Sequence, residues 1–306
     1  MGSNDKYLKG CEAFEAKNYV DAIHHFTKAI KKDPDDIASL IKRSEVFLEI
    51  NDNESFKSDL LLQVNFYSRR LKEMPNDDTL LVKRAELFKL LGFEKHASAD
   101  YEKAIFINPE SIDAHLGLAI LNTFQGSGEL DGALELFSKV LAWQPDNSKA
   151  LYHIALIYSK QSIYDKSILY YQRCIESGGD YEAVACRSLT TLYSKLNRFE
   201  ESIVCIRNLL CNNSGFASDY MHLANLYIKI MAFDEAQLFL NVALAIERDD
   251  KYLFFQASKL FLKTNHLSRA IECIDEAIKL ERSESFLKFK AILEKIQTKA
   301  SNTNIQ

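Results

Sequence analysis

A short pattern of side-chain sizes recurs along the chain at a nearly constant interval. A small residue is followed four positions later by a bulky one and three positions after that by another small one, as in Ala97, Tyr101 and Ala104. From Ala97 onward, the first members of the pattern are separated by 36, 34, 35, 34 and 34 residues. Their positions in the chain are Ala22, Ala97, Ala133, Ser167, Ser202, Ala236 and Ala270. Such a period is typical of repeat proteins, in which each repeat packs only on its neighbours.

The spacing inside the pattern predicts α-helices, because residues three, four and seven apart lie on one side of a helix. A second column lies upstream in each repeat, where a small residue precedes a larger one by three positions, as in Ala85 and Phe88. Two columns predict two helices per repeat, and the small residues let them approach closely. Asn, Gly, Asp and Lys residues mark the predicted turn inside each pair. These turn residues are Lys17, Asn18, Asn51, Asp52, Asn53, Gly92, Gly126, Ser127, Gly128, Asn197 and Asn265.

These columns resemble the tetratricopeptide repeat, a helix–turn–helix unit of about 34 residues. The resemblance implies an all-α fold in which antiparallel helix pairs form one right-handed superhelical solenoid over residues 3–282. Its first helices would line a concave groove. The alternatives are a non-repetitive helical bundle and a pentatricopeptide array, and the acidic composition argues against the latter. The implied repeats are 3–36, 37–77, 78–111, 112–147, 148–182, 183–216, 217–250 and 251–282, followed by a capping helix over 283–299 and a disordered tail over 300–306.

The second repeat departs from the regular length. The 75 residues between Ala22 and Ala97 hold one repeat of ordinary length and one with seven extra residues. The turn at residues 51–53 lies where a first helix of ordinary length would end. We therefore expect the extra residues in the second helix, before Pro75. Seven residues are about two helical turns, so the helix nearly keeps its phase. We predict that this helix either projects as a separate docking surface or covers neighbouring apolar surface. A projecting end would present Tyr67, Arg69, Arg70 and Lys72.

Composition limits the class of protein. The formal net charge of −5 argues against a protein dedicated to binding nucleic acid or an anionic membrane. No apolar run is long enough to span a bilayer, and no apolar signal core follows Met1. We therefore expect a soluble, cytoplasmic protein. The six cysteines form no CxxC pair, so buried free thiols are expected rather than disulfides or metal ligands.

The chain contains none of the common sequence motifs for nucleotide binding, metalloprotease chemistry or serine hydrolysis. His24 and His25 are adjacent and would point about 100° apart on a helix, so they cannot chelate one metal ion together. We therefore expect no catalytic residues, no cofactor and no metal, and no small-molecule substrate.

The resemblance places three columns of first-helix residues in the groove, with an acidic entrance, an apolar middle and a basic far half. Lysine is common at the helix-end column of the family, so shared ancestry is an equal explanation for four of the lysines; Arg187 and Lys259 add further positive charge. The predicted partner-binding residues are Glu45, Glu49, Glu86, Leu90, Leu116, Ile120, Phe124, Tyr152, Leu156, Lys160, Arg187, Lys195, Asn225, Lys229, Lys259 and Lys263.

The function implied by the resemblance is a non-catalytic scaffold or adaptor that holds a peptide or helix of another protein in the groove. The alternative is an obligate subunit of a larger ciliary, ubiquitin-ligase or RNA-processing assembly. RNA binding is a third hypothesis. Some family members grip the C-terminal carboxylate of chaperones with a clamp of Lys, Asn and Arg. Clamp positions fall here at Tyr7, Cys11 and Lys42, which do not match, so binding of that kind is not expected.

Overall fold

The computed structural model describes residues 3–125, 129–211 and 215–303, and these residues form 17 α-helices and no β-strand. The all-α fold of tandem helix pairs predicted from the sequence is confirmed. The predicted turn at residues 126–128 lies outside the described residues. The helices are α1 (Ser3–Glu15), α2 (Tyr19–Lys32), α3 (Ile37–Glu49), α4 (Asn53–Glu73), α5 (Asp78–Leu90), α6 (Glu94–Ile107), α7 (Ile112–Gln125), α8 (Leu130–Trp143), α9 (Ser148–Lys160), α10 (Tyr164–Ser177), α11 (Glu182–Lys195), α12 (Phe199–Cys211), α13 (Ala217–Lys229), α14 (Phe233–Ile246), α15 (Lys251–Lys263), α16 (Leu267–Leu280) and α17 (Glu284–Thr303).

The helices group into two compact units, Met1–Pro145 and Asp146–Gln306. The first unit holds the four pairs from α1 to α8, and the second holds the four pairs from α9 to α16 followed by α17. Within each unit every helix contacts the next one along the chain. Each helix pair falls inside one predicted repeat, except that α11 begins at Glu182, the last residue assigned to the fifth repeat.

The two columns of small residues face each other across the crossing inside each pair. Ser167, Ser202 and Ser258 occupy these columns, and each hydroxyl donates across the crossing to a carbonyl of the paired helix, as buried polar groups require. Ser167 Oγ donates to the Ala155 carbonyl at 2.8 Å, and Ser202 Oγ donates to the Thr190 carbonyl at 2.7 Å. The register inferred from the sequence is therefore the register of the packed helices.

The tight turns inside the pairs need a left-handed backbone. Lys17, Asn51, Gly92 and Asn197 have φ between 58° and 78°, and Asn265 has φ 62°. The sequence predicted a turn at all five. It missed Ser162 and Met231, which have φ 61° and 63°, because neither side chain is typical of this conformation.

Side-chain oxygens cap the start of four first helices, α3, α5, α9 and α15, by accepting a backbone N–H of the first turn. Asp36 accepts from the Ser39 N–H at 3.0 Å, and Asp77 accepts from the Leu80 N–H at 3.0 Å. Asn147 and Asp250 do the same at α9 and α15. These caps explain the acidic residues at the connections between repeats without any catalytic role.

α4 has 21 residues, whereas the other second helices have 13 or 14, so the extra residues do lie in this helix as predicted. The prediction that its end presents Tyr67 is wrong. Tyr67 is buried with Leu60, Val64 and Leu87, because the added turns lie over α5 instead of standing clear of it. Arg69 pairs with Asp35 at 2.9 Å, and Arg70 and Lys72 are exposed.

α17 covers the end of the second unit. It packs on α16 and buries Phe286 and Leu293, while the Phe286 ring lies 4.8 Å from that of Phe255 on α15. The helix was predicted to end at Lys299 but continues to Thr303, so the predicted disordered tail does not begin at residue 300. Residues 304–306 of that tail lie outside the described part of the chain.

Candidate functional site

The predicted groove residues of the first unit lie on α3, α5 and α7. Glu49, Glu86, Leu90 and Phe124 are exposed. Glu45 and Ile120 are half-buried, and Lys42 Nζ donates to the Glu45 carboxylate at 2.6 Å. Leu116 is buried in the core, so the structure does not present it to a partner.

The predicted residues of the second unit lie on α9, α11, α13 and α15. The four lysines at the helix-end column, Lys160, Lys195, Lys229 and Lys263, are all exposed. The other five are half-buried: Tyr152, Leu156, Arg187, Asn225 and Lys259. α9 contacts α11 and α13 contacts α15, so within this unit first helices of successive repeats pack on each other.

The predicted groove role of Arg187 does not agree with its contacts. Its Nε donates to Asp219 Oδ1 at 2.9 Å, and its Nη2 donates to Asp219 Oδ2 at 2.9 Å. Only 7% of the Asp219 side chain is exposed, and the Arg187 guanidinium also lies 4.7 Å from the Phe216 ring centroid. Arg187 therefore compensates a buried carboxylate on the next repeat, and its charge is not available as groove charge. Asp219 could not be paired with Arg187 from the sequence, because the two residues lie 32 positions apart.

Three of the predicted residues come together in one concave pocket of about 550 Å³ between α13, α15 and α17. We call it the C-terminal pocket. Asn225 lies on α13, and Lys259 and Lys263 lie one turn apart on α15. The remaining lining residues are Met221, His222, Gln256, Leu260, Leu262 and Phe289.

The C-terminal pocket combines positive charge with apolar walls. Neither Lys259 nor Lys263 has a carboxylate partner within salt-bridge distance among the described residues. Lys259 Nζ lies 3.8 Å from the centroid of the Phe255 ring, which holds the ammonium group over an aromatic face. Burial lowers the pKa of His222 below its usual range, although Asp219 acts in the opposite direction. The histidine is therefore neutral near pH 7, and the two lysines supply the charge.

The arrangement fits an anionic, partly apolar ligand. Two ammonium groups can each donate several hydrogen bonds to a carboxylate, and Asn225 and Gln256 can pair with backbone amides. Met221, Leu260 and Phe289 offer apolar contact to a neighbouring side chain.

Sequence reasoning missed one wall of this pocket because Phe289 belongs to α17, outside the repeats. Phe286, Phe289 and Leu293 are three, four and seven apart, so their stripe could have indicated that α17 packs against the last repeat.

Among the described residues, no group of three or more His, Cys, Asp or Glu side chains could hold a metal ion, and none of the described helices is long and apolar enough to cross a bilayer. All six cysteines are free thiols. Cys174, Cys186 and Cys273 are buried as predicted, whereas Cys11 and Cys205 are half-buried and Cys211 is exposed.

Comparisons with known proteins agree with the helix pairs. A family model described as Tetratricopeptide repeat matches residues 118–182. No curated protein matches the sequence. A structure of pilF from Pseudomonas aeruginosa is similar, with 19% identity, coverage of 70% of this chain and 96% of that one, and a TM-score of 0.53. A structure of the APC/C hetero-tetramer Cut9–Hcn1 has 15% identity, coverage of 93% of this chain and 54% of that one, and a TM-score of 0.52. The family model covers residues 118–182, and the paired helices with their columns of small residues extend the same type of fold along the described part of the chain.

Proposed function

We propose that this protein is a non-catalytic interaction scaffold, and that its C-terminal pocket binds an acidic segment of a partner protein. The observation that carries the proposal is the pair Lys259 and Lys263, which lie without carboxylate partners beside an apolar wall. A lysine that is present only through shared ancestry, and that lies in solvent at the end of a helix, would not require apolar residues beside it.

Charge and shape both favour a peptide over a compact ligand. The pocket is open to solvent and lies on helices of the first-helix series, so an extended chain can enter and leave it. An aspartate or glutamate of the peptide would pair with the lysines, and an adjacent apolar side chain would contact Leu260 and Phe289. In the first unit, exposed Leu90 and Phe124 offer apolar contacts of the same kind. If a peptide makes several such contacts, a few central ones would supply most of its binding free energy.

The test begins with partners captured from cell extract on the intact chain and identified by mass spectrometry. Acidic segments of the captured proteins are then synthesised as fluorescent peptides, and their binding is measured by anisotropy. The double variant Lys259→Glu/Lys263→Glu should weaken binding at least tenfold and reduce its dependence on salt, because the attraction is electrostatic.

The matched control changes the same charge elsewhere. Lys83 and Lys103 are exposed on α5 and α6 of the first unit, so Lys83→Glu/Lys103→Glu alters the net charge equally. Equal loss in both double variants would indicate attraction to the overall charge, and full affinity in the pocket variant would overturn the proposed site.

An obligate subunit of a larger assembly is the second candidate. It is motivated by Phe106 on α6, whose side chain is 86% exposed and would be covered if this face packed against another subunit. Light scattering of the purified chain separates the two candidates. A stable, monodisperse monomer supports the scaffold, and aggregation that Phe106→Ser relieves supports the subunit.

A further inference from the structure

Two cysteines face each other across the helix crossing of the sixth repeat. A hydrogen bond from Ser202 Oγ to the Thr190 carbonyl joins α11 and α12 where they cross. Cys186 lies one turn before Thr190, and Cys205 lies about one turn after Ser202. Because the two helices are antiparallel, these positions are opposite each other.

The two sulfur atoms are close. Cys186 Sγ lies 3.1 Å from Cys205 Sγ, and it also lies 3.1 Å from the Cys205 carbonyl oxygen. Cys205 Sγ lies 3.5 Å from the Cys186 carbonyl oxygen. A disulfide requires about 2.05 Å between the sulfurs, so an approach of about 1 Å is enough to form one.

Other repeats fill the same two positions with larger side chains. The corresponding pairs, which are also 19 positions apart, are Leu151 with Tyr170, Tyr220 with Phe239, and Phe254 with Cys273. The rings of Tyr220 and Phe239 stack with centroids 6.4 Å apart. Two small thiols leave this space empty in the sixth repeat.

The result is an open cavity of about 540 Å³ beside the crossing. Both thiols line it, together with Leu189, Tyr193 and Val204, and Glu176 and Glu200 also line it. A cavity of this volume is far larger than a water molecule. Small polar oxidants can therefore reach both sulfur atoms.

We propose that Cys186 and Cys205 are an oxidative modification site, at which hydrogen peroxide entering this cavity converts the two thiols into a disulfide between α11 and α12. Neither the scaffold function nor the C-terminal pocket is required for this reaction.

The reaction balances without any further reagent. The Cys205 thiolate attacks one peroxide oxygen, the O–O bond breaks, and the hydroxide that leaves takes up the thiol proton to form water. The Cys205 sulfenic acid that results is attacked by the Cys186 sulfur, the S–S bond forms, and the leaving hydroxide takes the Cys186 proton as a second water. The two thiols lose two electrons, and the peroxide gains them.

The roles of the two sulfurs follow from their contacts. The hydrogen bond from Cys186 lowers the pKa of Cys205, although burial opposes this, whereas the same contact and burial raise the pKa of Cys186. Cys205 is therefore the thiol that becomes nucleophilic, and Cys186 is the thiol that resolves the sulfenic acid. Burial raises the pKa of Cys174 and of Cys273 to about 11, so these thiols should react slowly.

The test uses the reduced full chain, hydrogen peroxide and peptide mapping after free thiols have been alkylated. The expected product has lost the mass of two hydrogens and joins the tryptic peptides 174–187 and 199–207. Cys174 shares a peptide with Cys186, so Cys174→Ser is the matched control and should keep the cross-link, as should Cys211→Ser. Cys186→Ser and Cys205→Ser should abolish it, and dithiothreitol should reverse it in the wild-type chain.

The proposal fails if peroxide produces over-oxidised Cys205 or intermolecular dimers through Cys211 without the linked peptides. It also fails if either Ser variant keeps the same cross-link. Circular dichroism verifies that the variants are folded. If a Ser variant is unfolded, the peptide map of the peroxide-treated wild-type chain still tests the proposal, because the linked peptides are either present or absent.

Discussion

Arg43 and Asp59 form a two-point ion pair that joins α3 to α4. Arg43 Nε donates to Asp59 Oδ2 at 2.8 Å, and Nη2 donates to Oδ1 at 2.6 Å. The same pair recurs 41 positions later as Arg84 and Asp100, with both distances at 2.7 Å. Each arginine also donates from Nη1 to a hydroxyl on the preceding second helix. Arg43 donates to Thr27 on α2, and Arg84 donates to Ser68 on α4. The same set of contacts therefore joins α2, α3 and α4 and, on the other side of the long α4, joins α4, α5 and α6.

Arg43→Ala should destabilise the protein by about 3 kcal/mol, because it leaves a buried carboxylate without a partner. Only 3% of the Asp59 side chain is exposed, and no other cation within salt-bridge distance is seen for it among the described residues. The shift of the urea unfolding midpoint, followed by circular dichroism, measures the loss. The double variant Arg43→Met/Asp59→Leu should recover most of it, since it removes both charges. An Arg43→Ala variant as stable as the wild type would contradict the assigned pair.

Ala236→Leu should cost about 1–3 kcal/mol, because the added atoms overfill a closed crossing. Ala236 is fully buried with Leu223, Leu226 and Tyr227. Glu235→Leu adds a leucine at the neighbouring exposed position and serves as the control. Thermal melts that shift equally for the two variants would be inconsistent with the register.

Tyr67→Ala should cost about 3 kcal/mol or more, as expected for removing a large buried aromatic side chain. Arg70→Ala on the exposed side of the same helix should change stability by less than about 0.5 kcal/mol. Denaturant unfolding compares the two. If Tyr67→Ala is as mild as Arg70→Ala, the end of α4 projects from the protein and does not cover α5.

His222 should make the protein less stable in mild acid. Its pKa is lowered in the folded state by burial, so the unfolded chain takes up a proton first as the pH falls below roughly 6.5. The contribution is complete above that pH and is lost as the pH falls toward the lower folded pKa. The melting temperature, measured from neutral to mildly acidic pH, should fall less in His222→Gln than in the wild type. Identical pH profiles would show that His222 is not buried as described.

A bound acidic peptide has the opposite effect on the same histidine. A carboxylate in the C-terminal pocket would favour the charged imidazole, so peptide binding should be accompanied by proton uptake in mildly acidic buffer. Calorimetry in buffers of different ionisation enthalpy measures that uptake, and His222→Gln should abolish it.

The sequence by itself determined the repeat, the pairing of helices and their register, because these depend on spacings of three, four and seven residues along one chain. The columns that contain Ala85 and Ala97 could be assigned to the two helices of one repeat from their spacing alone. The seven-residue lengthening of α4 was also visible, since a heptad nearly preserves helical phase. The left-handed turns at Ser162 and Met231 were not visible, because packing of the two helices imposes the turn whatever residue lies there.

Only the tertiary structure decided which side chains are available to a partner. Arg187 and Lys259 were equivalent in the sequence, yet Arg187 is held by Asp219 and Lys259 lines the C-terminal pocket. Tyr67 would be exposed on a projecting end of α4 but is buried over α5, and Phe289 enters the pocket from a helix outside the repeats. Local spacing determines which face of a helix a residue lies on. What covers that face depends on contacts between residues far apart in the chain, and those exist only once the helices have packed.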